Sequence, residues 1–238
     1  RYITNNFGES QFIGGKNVKA ERNVSVLSFS EETSYYDSKY GDVVFGVSSE
    51  VINSENSLVY GRQNNIDGNK GVLSGGRFIT GKNAENSLVI GERITINNSI
   101  RTGIFGEGHN INRSRNMLVS GSSNISIDAS GVQIFGDMND VLNNTSLTQI
   151  HGKENTVDDT LFGLIQGYNN KSTSDYNTSI FGQLNKTDFN TYSNVMGKNN
   201  QIIDNYITHV IGESNSIAKN DISTILGSSN QVKDISYS

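Results

Sequence analysis

Short apolar runs ending in glycine recur along this chain at a spacing of 14 to 16 residues, with polar segments between them. The glycines are Gly46, Gly61, Gly75, Gly91, Gly106, Gly121, Gly136, Gly152, Gly167, Gly182, Gly197, Gly212 and Gly227, and nine of the twelve gaps are 15 residues. Two places before them stand Val44, Val59, Leu73, Val89, Ile104, Val119, Ile134, Ile150, Ile165, Ile180, Val195, Val210 and Ile225. All are aliphatic and nearly all are β-branched, the side chains that suit a buried strand position in every copy. Three places after the glycine come Asn64, Asn124, Asn139, Asn155, Asn170, Asn185, Asn200, Asn215 and Asn230, and two further on there is usually another aliphatic, as in Val141, Val157, Ile202 and Ile217. Each repeat reads as a strand, a glycine turn carrying asparagine, and a second short strand.

Fifteen residues cannot enclose a core, but they can make one turn of a coil whose next turn bonds to it strand on strand. Glycine tolerates positive φ without steric cost, and asparagine accepts the left-handed region while its amide reaches nearby backbone. The expected fold is therefore all-β, a parallel β-roll of about fourteen turns stacked at about 4.8 Å. The chain contains no proline, which suits a ladder that needs almost every backbone N–H. The register is followed from residue 41 to residue 238 as one continuous domain. Residues 1–40 follow it loosely, with Gly14 as a first turn and Ser30 where the next glycine is due, and read as a degenerate N-terminal cap or tip.

The residue immediately before the glycine faces away from the buried aliphatic if this segment is a strand. It is Phe45, Tyr60, Ile90, Phe105, Phe135, Phe181, Met196, Ile211 or Leu226, interrupted by Ser74, Ser120, His151 and Gln166. A coil with two apolar faces has more hydrophobic surface than its own interior covers. The surplus row is expected to meet another copy of the same chain.

The segments NSLVYG (56–61) and NSLVIG (86–91), recurring as IFG, VMG, VIG and ILG, resemble the head repeats of trimeric autotransporter adhesins, the YadA-like head. The resemblance covers residues 41–232. It implies a left-handed β-roll, a homotrimer with the row before the glycine at its interface, and display on the outer membrane of a Gram-negative bacterium. It also implies binding to a host cell-surface glycoprotein such as a CEACAM receptor, or to extracellular matrix. This chain departs from the pattern in its bulky residue before the glycine, in asparagine where many heads have serine or alanine, and in lacking a neck or stalk motif.

The net charge of −5, with both signs interspersed, argues against nucleic acid as partner. No apolar stretch is long enough to span a bilayer and no signal-peptide core begins the chain, so it reads as an excised fragment whose membrane contact runs through an absent stalk and anchor. Without cysteine there is no thiol chemistry or disulfide. His109, His151 and His209 fall at different places in the repeat and read as isolated polar substitutions. Asp158–Asp159 and Glu31–Glu32 read as solvated charge, since neighbours on a strand face opposite ways. No phosphate loop, zinc motif or nucleophile grouping occurs, so no enzyme, cofactor or metal is expected. Three other solenoid readings are weaker. Tailspike hydrolases and β-helix lyases, and the polysaccharide-binding solenoids akin to them, usually have longer turns, and ice binding needs a regular threonine ladder. Tyr35, Tyr36 and Tyr40 in the irregular N-terminal stretch are the candidate receptor-binding residues. Phe162, Tyr176, Tyr192 and Tyr206 form a second aromatic series, read foremost as packing at a corner of the coil.

Overall fold

The computed structural model describes residues 87–97 and 100–234, and between residues 3 and 81 only separate short stretches, most of them strand backbone. The chain is an all-β parallel β-solenoid of about ten turns with repeats of about 15 residues, and no helix occurs among the described residues. It divides into two units, Arg1–Ser122 and Ser123–Ser238.

In the first unit, strands Gln11–Ile13, Val26–Ser28, Asp42–Val44, Leu58–Val59, Leu73–Ser74, Leu88–Glu92, Gly103–Glu107 and Leu118–Ser122 pair in that order, always in parallel. A second row begins Ile3–Asn5, Val18–Ala20 and Thr33–Tyr35. Ile13 lies opposite Ser28, and Ser28 opposite Val44. By this register Gly15, not the expected Gly14, stands two places past the aligned residue. In the last three turns Val89, Ile104 and Val119 are buried, and so are Ile94 and His109, which occupy the place three after the glycine. The His109 ring contacts the Phe105 carbonyl through Nε2 at 3.1 Å.

Each turn of the second unit has three sides. The first is a strand through the glycine, such as Leu164–Tyr168, and the second is a three-residue strand, such as Lys171–Thr173. The third is a single bridging residue, as in Leu161↔Tyr176 and Tyr176↔Thr191. Left-handed residues make the corners: Asn169, Ser174 and Asn177 in one turn, Leu184, Phe189 and Tyr192 in the next. The last two turns lose the third corner, because Ile207 and Ile222 stand there. A β-branched side chain resists positive φ, and the backbone instead runs extended through strands Ile207–Glu213 and Ile222–Ser228.

The glycine proves to lie within the first strand and not in a turn; the corner comes two residues later. Its requirement is steric as well as conformational. A Cβ on Gly182, whose φ is +132°, would sit 1.8 Å from the carbonyl oxygen of Gly197. The asparagine three places on is not left-handed either. Its amide builds an internal ladder instead. Asn170 Nδ2 donates to Asn155 Oδ1 at 3.1 Å and to the Gly182 carbonyl at 2.9 Å, while Asn170 Oδ1 accepts from the Asn185 backbone N–H and side-chain amide at 3.1 and 3.0 Å. Two donors and two lone pairs are all engaged, the condition under which a polar group is buried without a large penalty. The pattern runs from Asn124 to Asn230. It joins the two sequence signatures: the asparagine of one turn holds the carbonyl of the next turn's glycine.

The aliphatics two places before the glycine line the interior, as their type requires; Ile134, Ile150, Ile165, Ile180, Val195 and Val210 are fully buried. The inward position of the second side is apolar in Val141, Val157, Ile202 and Ile217 but polar in Ser172 and Thr187, equally buried.

Candidate functional site

The residues before the glycine point away from the interior. In the first unit the row is Ile90, Phe105 and Ser120, register partners in successive strands. In the second unit it is Phe135, His151, Gln166, Phe181, Met196, Ile211 and Leu226, again neighbour on neighbour. Ile90, Met196, Ile211 and Leu226 are 47, 42, 49 and 68% exposed, and the three phenylalanines are half-buried. The polar interruptions are accommodated within the row; the rings of Phe135 and His151 lie 5.0 Å apart. Phe45 and Tyr60 fall outside the described residues.

The aromatic series is brought together. Phe162, Tyr176, Tyr192 and Tyr206 stack edge to face, with ring centroids 5.8, 5.8 and 6.2 Å apart. Each remains about 39 to 53% exposed. Edge-to-face contact is the geometry favoured by the aromatic quadrupole, so the stripe is held by its own rings. Of the N-terminal tyrosines, Tyr35 ends the strand Thr33–Tyr35; its side chain, Tyr36 and Tyr40 lie outside the described residues.

One charged group is buried inside the second unit. Asp175 is 2% exposed. Its Oδ2 accepts from Ser172 Oγ at 2.6 Å and Thr187 Oγ1 at 2.5 Å, and its Oδ1 from the Asn190 backbone N–H and amide at 2.9 and 3.0 Å. Burial pushes the carboxyl above its ordinary range, against the opposing pull of these four donors. Asn190, Asn205 and Asn220 continue from it as a second amide ladder. Sequence reasoning did not isolate Asp175; the signal was its position eight after the glycine, where the next three turns have asparagine.

The expected solvated charges are dispersed. Asp159 is at an exposed corner, Asp158 accepts from the Asn143 amide at 2.8 Å, and Glu31 pairs with Lys16 at 3.3 Å. Among the described residues no group of three or more His, Asp or Glu is placed to hold a metal ion, and no helix is long and apolar enough to cross a membrane. No protein-family model matches the chain, and no curated protein matches it.

Proposed function

We propose that the chain is the head of a trimeric surface adhesin: a left-handed β-roll of roughly fourteen turns, joined to two further copies and displayed from the outer membrane of a Gram-negative bacterium. It binds a host cell-surface glycoprotein or matrix protein and catalyses nothing. The observation that carries this reading is the row before the glycine. The interior is already filled by the aliphatics two places before it and by the amide ladders, so Phe135, Phe181, Met196, Ile211 and Leu226 have no place inside their own turns. The unbroken apolar run Phe181, Met196, Ile211 and Leu226 on a strand face calls for a partner surface. A symmetric assembly of three copies supplies one and presents three equal binding sites, with avidity beyond a single contact. Receptor contact is assigned to Tyr35, Tyr36 and Tyr40, since aromatic anchors concentrate binding energy.

Light scattering and cell adherence on one set of preparations test both parts. The unmodified protein is expected at three times the chain mass, with the double variant Phe105→Asp and Phe135→Asp shifting it toward monomer. Replacing Tyr35, Tyr36 and Tyr40 together by alanine is expected to lower adherence and leave the trimer intact. A stable monomer that adheres to no host cell would end the proposal.

A further inference from the structure

We propose that a groove on the flank of the second unit, between Phe189 and Tyr206, binds a neutral sugar ring. The inference rests on the adhesin reading for its setting and deepens it by naming a ligand class and a second place of contact.

Phe189 occupies the corner seven residues after Gly182, with φ of 53°. The same left-handed corner holds Asp128, Asn143, Asp159, Ser174, Asp204, Lys219 and Asp234 in other turns of this unit. Asparagine and aspartate tolerate that conformation, whereas a bulky ring there is strained. Packing does not compensate, since Phe189 is 63% exposed. Other left-handed corners of this unit also carry bulky residues, such as Leu184 and Tyr192, but among the described residues Phe189 is the one ring at this corner position and the most exposed aromatic of the unit.

The surroundings define what it would meet. Phe189 and the half-exposed Tyr206 border a groove of about 470 Å³, whose remaining lining includes Asp204, Lys219 and Asp221, within the range of small-ligand sites. All three charged residues are exposed, and none is in an ion pair among the described residues. A sugar ring offers an apolar C–H face to an aromatic and hydroxyl donors at its edge. Phe189 is the stacking platform, Tyr206 the second wall, and the carboxylates of Asp204 and Asp221 the hydroxyl acceptors. Two carboxylates against one ammonium disfavour acidic sugars, which sets the preference for neutral ones. A flat protein partner would instead favour an apolar centre, which this lining lacks.

The test is biolayer interferometry of the intact protein on immobilised lactose, N-acetyllactosamine, cellotetraose and chitotetraose, with sialyllactose as the acidic probe. Binding to at least one neutral probe is expected, weakened about tenfold or more by Phe189→Asn and by Asp221→Asn. The melting temperature of Phe189→Asn is expected to match or exceed that of the parent, because asparagine suits the corner. No binding to any neutral probe, binding unchanged by Phe189→Asn, or tighter binding to sialyllactose overturns the assignment. Host-cell adherence of the same preparations separates the two readings. Adherence without neutral-sugar binding ends the groove assignment alone, and sugar binding without adherence ends the adhesin reading alone.

Discussion

Two blocks of the second unit carry the same aliphatic and amide ladders and differ in chemistry at the inward position of the second side. In the turns of Gly197, Gly212 and Gly227 the inward side chains include Val195, Ile202, Val210, Ile217 and Ile225, one apolar cluster with Val232 packed against it. In the turns of Gly167 and Gly182 the second-side positions are Ser172 and Thr187, with Asp175 buried beside them. The second-side strands of the two blocks have the same length and the same parallel register. The backbone ladder together with the glycine–asparagine coupling sets the coil. The remaining inward positions then accept either apolar packing or a closed hydrogen-bond network.

The sharpest way to break the comparison is to empty the apolar block. Ile202→Ala removes a fully buried side chain and is expected to cost about 2 to 5 kcal/mol in urea unfolding, because stacked turns on either side limit collapse into the cavity. Ser172→Ala removes far less volume and so creates little cavity. A cost for Ile202→Ala no greater than that for Ser172→Ala would mean that the apolar cluster contributes no special packing.

The fold was legible because its requirements repeat. Glycine where an added Cβ would meet the next turn's carbonyl oxygen and a buried aliphatic two places earlier recur in turn after turn, so the spacing alone implied a coil of parallel strands. The asparagine was legible as a position but not as a ladder, since its partners are one turn away and its local backbone is ordinary. Asp175 and Phe189 were illegible in the glycine-anchored pattern for the opposite reason: each stands at a position whose residue varies from turn to turn in the second unit. Comparing the residue eight after the glycine, or seven after it, from turn to turn would have exposed them. The aromatic series Phe162, Tyr176, Tyr192 and Tyr206 was legible because edge-to-face stacking follows from one ring per turn.

The polar block is sharpened by pH. Burial raises the Asp175 carboxyl, so the folded chain takes up this proton before the unfolded chain does as pH falls. The contribution of Asp175 to stability is therefore full below the ordinary carboxylate pKa and is lost as pH rises through the raised folded value. Asp175→Asn, which supplies the side chain found at this position in the next three turns, is expected to stabilise at pH 7, with an advantage that shrinks on acidification. Thr187→Val removes a donor to the carboxylate. Its cost is expected at about 1.5 to 3 kcal/mol at pH 7 and less in acid, where the carboxyl is protonated. Urea unfolding across pH 4 to 7 measures both, and an Asp175→Asn advantage that grows toward acid would contradict the assignment.

The smallest effect lies outside the coil, and it bears on why the polar block is tolerated. Phe162, Tyr176 and Tyr192 run along the third side of the turns whose interiors hold Thr160, Asp175 and Asn190. In the apolar turns that follow, Tyr206 ends the stripe and Ile207 and Ile222 stand in extended strands. Part of the side-chain stabilisation of the polar turns thus lies on their surface, in rings contacting one another at 5.8 Å. A double-mutant cycle with Tyr176→Leu and Tyr192→Leu isolates one such contact and is expected to give a coupling of about 0.5 to 1.5 kcal/mol. Leucine keeps apolar bulk at both positions, so the coupling reports the ring geometry more than the burial. Zero coupling would mean that the stripe is only four neighbouring side chains, leaving the stability of these turns to the amide ladders and the aliphatics before the glycine.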